Sequence, residues 1–346
     1  MRTLASIVQV EEVKPIAGAD FIEMATLKGK AWQCVIKKGD LKASEYGVFM
    51  EIDSFLPEEP RYEFLRKGCY REMNGVGGFR LRTIALRKQI SQGLLLPLED
   101  FEELRGYGVG FDATELLGVK LYEPPLSAQL SGEVKGSFPS WLHNSEQPRI
   151  QNFLEYFDTM KGVGWERTLK MDGSSLSLYC RDGEFGVCSR TRELKETEGN
   201  TFWEVARRLD MEERMCKLNR NLMVQAELCG EGIQSNRCKL KGHNMFVYDI
   251  FDIDKYAYLC KQERLEIMDK LNQMPGEEIQ HVPIIDDEYV FDRFEAFDEL
   301  HAWVTSVKGY NGTSPEGVVF KALLPVDGHI ISFKVINNKY LLKHNE

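Results

Sequence analysis

Leu169-Lys170-Met171-Asp172-Gly173-Ser174-Ser175 carries a lysine followed two residues later by Asp-Gly. Residues 165–169 before it and 176–179 after it alternate enough in polarity to be read as strands. Asp172-Gly173 between them is a turn signal, because Asp bonds its own backbone and Gly enters conformations closed to other residues. The stretch therefore predicts a lysine amine displayed at a strand end. A lone Lys-x-Asp-Gly arises by chance about once in ten or twenty chains of this size, so its meaning depends on companions.

Working outward, 346 residues with 43% hydrophobic side chains give length enough for two domains, each with its own core. The N-terminus reaches Glu11-Glu12 too soon for a secretory apolar region, and no stretch is apolar for the length of a membrane span. A soluble intracellular protein, cytoplasmic or nuclear and without a membrane partner, is expected. The eight cysteines are scattered with no Cys-x-x-Cys pair, which speaks for reduced core thiols over a zinc ribbon or disulfide framework. A net charge of −10 argues against coating nucleic acid by charge alone. It leaves room for local basic grooves, for which Lys37-Lys38, Arg80, Arg82, Arg87 and Lys88, and Arg237, Lys239 and Lys241 are candidates. The six histidines are irregularly spaced, and no Gly-x-Ser-x-Gly elbow or Walker loop is present, which removes the commonest hydrolase and NTPase readings.

From residue 7 to residue 98 short apolar runs at 21–26, 32–36, 48–52, 80–86 and 93–96 alternate with turn residues, including Gly75-Val76-Gly77-Gly78, the rhythm of a small antiparallel barrel. The composition shifts at Tyr122-Glu123-Pro124-Pro125-Leu126-Ser127, which predicts a linker. Beyond Arg149 the pattern is mixed, with helical periodicity over 201–216 and 259–274 and strand-like runs at 185–189, 222–228, 245–251, 317–321 and 330–335.

The companions of Lys170 fall in a fixed order: Ser189-Arg190-Thr191, Gln225-Ala226-Glu227-Leu228-Cys229-Gly230, Phe246-Val247-Tyr248-Asp249-Ile250-Phe251, Glu316-Gly317-Val318-Val319-Phe320-Lys321 and Ser332-Phe333-Lys334-Val335. In this order they resemble the motifs of the covalent nucleotidyltransferases, the superfamily of polynucleotide ligases and mRNA capping enzymes. Five ordered matches are far harder to obtain by chance than one. Gly232-Ile233-Gln234, Asn236 and Lys239-Leu240 are similar to the RNA ligase branch, and Gln147-Pro148-Arg149-Ile150-Gln151-Asn152 to the start of its catalytic domain. Further upstream, Lys37-Lys38-Gly39-Asp40, Glu51-Ile52-Asp53-Ser54-Phe55-Leu56-Pro57 and Ser91-Gln92-Gly93-Leu94 resemble the OB domain of RNA ligases of the Deinococcus and Naegleria type. DNA ligases and capping enzymes carry their OB domain after the catalytic one, so its position ahead of Lys170 discriminates.

The resemblance implies an α+β chain. An OB-type β-barrel over residues 1–124 would be joined by a linker, 125–140, to an ATP-grasp-like mixed α/β nucleotidyltransferase domain with antiparallel sheets over 141–346. It implies ATP as AMP donor with Mg²⁺ or Mn²⁺, and RNA with 3′-OH and 5′-phosphate ends, as at a duplex nick, as the substrate of a monomer. Lys170 would be the adenylated residue. A lysine amine is protonated near neutral pH, so the site is expected to depress its pKa with a metal ion and with Lys321 and Lys334. Asp172, Glu227 and Glu316 are expected around that metal, partly through water, with the ribose as an alternative for Glu227. Tyr248 is expected against the adenine, with Phe246 two residues earlier on the same side and Leu169 beside the nucleophile. Arg190 would take the ribose or substrate phosphate, Arg149 the ATP phosphates and Lys334 the α-phosphate. One departure is visible: where a second lysine is common, two residues after Lys334, this chain has Ile336. On the barrel, Lys37, Lys38, Arg80, Arg82 and Arg87 would contact nucleic-acid phosphates. Two rivals stay open on sequence grounds, a capping guanylyltransferase-like enzyme and a non-catalytic RNA-binding OB protein.

Overall fold

In a computed structural model of the chain, which describes residues 2–123, 133–286 and 293–344, the N-terminal apolar runs become the strands of a nearly closed OB-type barrel. One sheet runs in the order Leu94–Pro97, Tyr46–Met50, Ala5–Pro15, Ile22–Leu27 and Gln33–Lys37, antiparallel throughout. A second runs Lys120–Leu121, Ser54–Pro57, Val76–Arg80 and Tyr70–Met73. Ile7, Val48, Met50, Leu56, Tyr62, Phe79 and Phe101 share the core of this unit. The turn expected at residues 75–78 lies one step earlier, at Asn74-Gly75, both at positive φ. Gly77 and Gly78 are strand residues, and Gly78 is required there for close approach to backbone. A Cβ on Gly77 would sit 2.4 Å from Tyr70 Oη, and one on Gly78 2.5 Å from the Leu56 carbonyl.

Two compact units are formed, Met1–Pro125 with Ile150–Asp158 and Asn338–Glu346, and Leu126–Arg149 with Thr159–Asn337. Two segments that the sequence reading places in the catalytic domain thus pack with the N-terminal strands. Asn152 accepts from Trp32 Nε1 at 2.7 Å and donates to Glu51 Oε1 at 2.6 Å, while Gln92 Nε2 donates to Asn338 Oδ1 at 3.0 Å. Residues 125–132 of the expected linker lie outside the described residues, and 134–137 of it form a strand, Val134–Ser137.

In the second unit the large sheet runs Val134–Ser137, Arg192–Leu194, Glu184–Cys188, Ser174–Arg181, Leu222–Gly230, His243–Asp252 and Ala257–Tyr258. Its pairs are antiparallel apart from Gln280–His281, which joins His243–Asp252 in parallel. A smaller antiparallel sheet runs Ile284–Asp286, Trp165–Lys170, Gly317–Ala322 and Ser332–Ile336. The helical periodicity over 201–216 resolves into two helices, Thr201–Arg208 and Met211–Lys217, because Asp210 takes a left-handed φ of 50° between them. Asn200 caps the first by accepting from the Phe202 and Trp203 amides at 3.0 and 3.3 Å. The next helix, Lys261–Asn272, starts at a capping box of Cys260 and Glu263. Phe202, Met211, Ile267 and Leu271 from these helices, with Leu209 at the C-cap of the first, bury against Leu176, Leu178, Val224 and Val247 of the large sheet. Among the described residues no helix is long and apolar enough to cross a membrane.

Candidate active site

Lys170 is the last residue of Trp165–Lys170, opposite Gly317 in the small sheet. Four residues later the chain enters Ser174–Arg181 in the large sheet, where Ser175 lies opposite Glu227. The turn at 171–173 therefore carries the chain from one sheet to the other and does not close a hairpin. Gly173 makes this possible, since a Cβ there would lie 2.3 Å from the Leu228 carbonyl and 3.0 Å from Glu227 Cγ. The Asp172 carbonyl accepts from the Cys229 and Cys238 thiols at 3.6 and 3.8 Å, and Arg237 Nη1 donates to Asp172 Oδ2 at 2.9 Å. These three residues hold the turn, and sequence reading did not single them out for it. Arg237 stood out only as one of a basic cluster.

Three carboxylates from three segments act on the amine. Glu316, just before Gly317–Ala322, places Oε1 2.7 Å from Lys170 Nζ. Glu227 comes from the large sheet and accepts from the Gly173 amide, and Asp172 comes from the turn itself. Burial pulls the Lys170 pKa down, but Glu316, Glu227 and Asp172 together outweigh it and hold the amine above its ordinary range. These carboxylates thus favour the protonated amine, and Lys321 and Lys334 are not among its main influences. Glu227 shows the other side of the same crowding. Burial first, then Glu316 and Asp172, push its carboxyl up to about 8 against the pull of Lys170.

The remaining expected residues fall in different places. Lys334 lies half-buried opposite Val319, its amide donates to the Pro148 carbonyl at 2.8 Å, and its backbone bridges that of Arg149, which is 6% exposed. Ile336 lies opposite Gly317 and is buried in the core, so a lysine there would displace packing at the row that holds Lys170. Tyr248 packs on the cluster of Leu169, Met171, Cys229 and Phe246, bonds Ser175 through its hydroxyl, and lies within electrostatic reach of Glu227 and Arg190. Arg190 is exposed and pairs with Glu146 at 3.4 Å. Phe246, expected beside Tyr248 at the adenine, is 1% exposed and makes a T-shaped contact with Tyr310, as a core residue does. Leu169 is likewise core, directly beneath the nucleophile. Lys321 does not face Lys170: it lies opposite Glu166, four pairs along the strand, and donates to Asp249 Oδ1 and the Tyr248 carbonyl at 2.6 and 2.7 Å.

Among the described residues no three His, Cys, Asp or Glu side chains converge on one point as a self-sufficient metal site. The carboxylates beside Lys170 nonetheless offer hard oxygen donors. Such a set fits a hard divalent ion that draws most of its ligands from phosphate oxygens and water, as Mg²⁺ does in phosphoryl-transfer sites.

A family model described as an OB-fold domain matches residues 4–98, and the RNA ligase model matches residues 164–336. The chain belongs to the RNA ligase family. Among solved structures, Naegleria gruberi RNA ligase with pyrophosphate is 44% identical, with a TM-score of 0.90 over 100% of this chain and 99% of that one. A variant of that ligase with ATP and manganese is also 44% identical, with a TM-score of 0.88 over 100% of both chains. Another, with AMP and manganese, gives 44%, 0.90 and 99% of both. No curated protein matches the chain.

In the N-terminal unit of this RNA ligase, the five basic residues expected to meet phosphate occupy three regions. Lys37 ends the strand Gln33–Lys37, is exposed, and approaches Asp40 at 3.5 Å; Lys38 follows it, also exposed. Arg80 and Arg82 are half-buried, with the Arg80 guanidinium 4.6 Å from the Tyr122 ring centroid. Arg87, with Lys88, forms the exposed tip of the hairpin Thr83–Leu86 and Gln89–Gln92, both at positive φ.

Proposed function

We propose that this ATP-dependent RNA ligase joins a 3′-OH end to a 5′-phosphate end at nicks in duplex RNA, through a lysyl-AMP intermediate, and works as a monomer. The observation that carries the reading is a lysine amine at a strand end, paired with Glu316 and within the electrostatic reach of Glu227 and Asp172. The relatives with ATP and manganese, AMP and manganese, and pyrophosphate support it, since these are the substrate and products of a nucleotidyl transfer.

The Lys170 ammonium first gives up a proton, for which Glu316 Oε1 is within reach. Nζ then attacks the α-phosphorus of ATP, the bond to the β-phosphate oxygen breaks, and pyrophosphate leaves AMP on the lysine. The RNA 5′-phosphate attacks the same phosphorus and frees Lys170. The 3′-OH finally attacks the activated 5′-phosphate and expels AMP. Lys334 and Arg149, whose backbones bridge, supply positive charge for the phosphates, with Lys334 at the α-phosphate. Tyr248 stacks on the adenine, and Arg190 and Glu227 hold the ribose side. A divalent ion held largely by phosphate oxygens and water, with Asp172, Glu227 or Glu316 as its protein ligand, would neutralise phosphate charge and weaken the carboxylates' hold on the Lys170 proton.

Incubation with radiolabelled ATP and Mg²⁺ should give a denaturation-stable adduct that Lys170→Met abolishes. Chasing it onto a nicked duplex with 3′-OH and 5′-phosphate ends should seal all-RNA nicks and show which strand must be RNA. Absence of the adduct with both Mg²⁺ and Mn²⁺ would sink the reading.

A further inference from the structure

The pairing of Leu222–Gly230 with His243–Asp252 slips by one residue. Gln225 lies opposite Asp249 and the next residue, Ala226, opposite Val247, so Tyr248 is the extra residue of a β-bulge. A bulge re-aims its side chain and takes its backbone out of the ladder, and a carbonyl buried in that way needs a donor from elsewhere. Lys321 supplies one. Its ammonium donates to the Tyr248 carbonyl at 2.7 Å and to Asp249 Oδ1 at 2.6 Å, with Lys321 5% and Asp249 3% exposed. The bond crosses from Gly317–Ala322 of the small sheet to His243–Asp252 of the large one, at the one residue the ladder leaves over.

Lysine suits this position because it has three donors and a charge for Asp249, whereas an apolar side chain would fill the space and leave the carbonyl bare. Lys321 is four residues from the position opposite Lys170, about 13 Å along the strand, so its ammonium does not reach the reacting atoms. The Tyr248 ring, by contrast, lies on the Leu169 and Met171 cluster beside Glu227. We propose that Lys321 is a positioning residue for the nucleotide: by clamping the bulged carbonyl of Tyr248 it sets the orientation of the ring on which the adenine stacks. This inference rests on the reading of Tyr248 as the adenine platform.

Single-turnover adenylation of Lys170 at varied ATP tests it. Lys321→Met should raise the ATP concentration for half-maximal rate about tenfold, as loss of one stacking contact would, and leave the saturating rate within about threefold. Tyr248→Ala should do the same, and the double variant should be no worse than either single one. A saturating rate that falls with ATP dependence unchanged, or an additive double variant, overturns the proposal. Where the methionine variant does not fold, Lys321→Gln decides. It removes the charge but keeps a donor, so half-saturation should move by less than about threefold, and a loss of saturating rate overturns the proposal. The two readings fail differently. A silent Tyr248→Ala sinks the adenine platform and this inference with it, whereas an effect of Tyr248→Ala with a silent Lys321→Met sinks the inference alone.

Discussion

Lys170 Nζ has Glu316 Oε1 at 2.7 Å, with Glu227 and Asp172 adding to the same negative field, which favours the charged amine over the nucleophilic free base. Adenylation by Lys170→Arg should therefore fail as completely as by Lys170→Met, because charge at that point is not what the reaction needs. Gel detection of the labelled adduct checks this. Gly173 offers a second residue-scale test. Its absent Cβ lets the turn lie on Leu228 and Glu227, so Gly173→Ala must push the turn off the carboxylate. Destabilisation of about 1–3 kcal/mol by denaturant titration is expected. The fall in adenylation rate should exceed what the unfolded fraction explains; a wild-type rate in the folded fraction would contradict the close-approach account.

At the scale of elements, the helix Lys261–Asn272 packs its apolar side chains on the large sheet and is tied to the small one by charge. Arg264, fully buried, donates to Glu166 Oε1 of Trp165–Lys170 and, through Nε, to His281 Nε2 at 3.1 Å. Removing one partner of such a pair leaves the other buried without compensation. Arg264→Met should thus destabilise by about 3–5 kcal/mol, and adding Glu166→Gln should recover part of the loss. Calorimetric melting of the single and double variants checks it. His281 reports on the same network. Burial first, then the Arg264 charge, lower its pKa from an ordinary 6.5 to about 4. Between those values the unfolded chain binds the proton and the folded one does not, so stability is intact above about pH 6.5 and is lost as pH falls toward 4, by up to about 3 kcal/mol. His281→Gln should flatten that acid limb in a pH series of denaturant titrations.

For the whole molecule, the question is what the OB unit contributes. Truncation at residue 124 separates the roles poorly, because Ile150–Asp158 and Asn338–Glu346 pack within the N-terminal unit and would lose Trp32, Glu51 and Gln92 as partners. Charge removal is the cleaner probe. Replacing exposed Lys37, Lys38 and Arg87 by Ala should lower nick sealing at least about tenfold more than adenylation and shallow the dependence of RNA binding on log salt by about one per lost phosphate contact. Equal loss of both activities, with an unchanged salt slope, would assign the unit a bracing role instead.

The stretch around Lys170 determined by itself that a lysine stands at a strand end before a turn, because strand period and turn chemistry are preferences of neighbouring residues. The ordered companions identified the family, and the barrel strands were legible from apolar runs cut by Gly and Asp. Register and burial were decided elsewhere. Only the tertiary structure showed that the strands on either side of the turn enter different sheets and that Arg237, 65 residues on, grips Asp172. Phe246 and Tyr248 look equivalent in the sequence, two apart on one strand, yet one is core and the other sits at a bulge over the site. Lys321 seemed placed to acidify the nucleophile and instead clamps Asp249 and the Tyr248 carbonyl. Each of these outcomes depends on which distant strand pairs with which residue, and long-range pairing is set by packing of the whole unit, to which local pattern is blind.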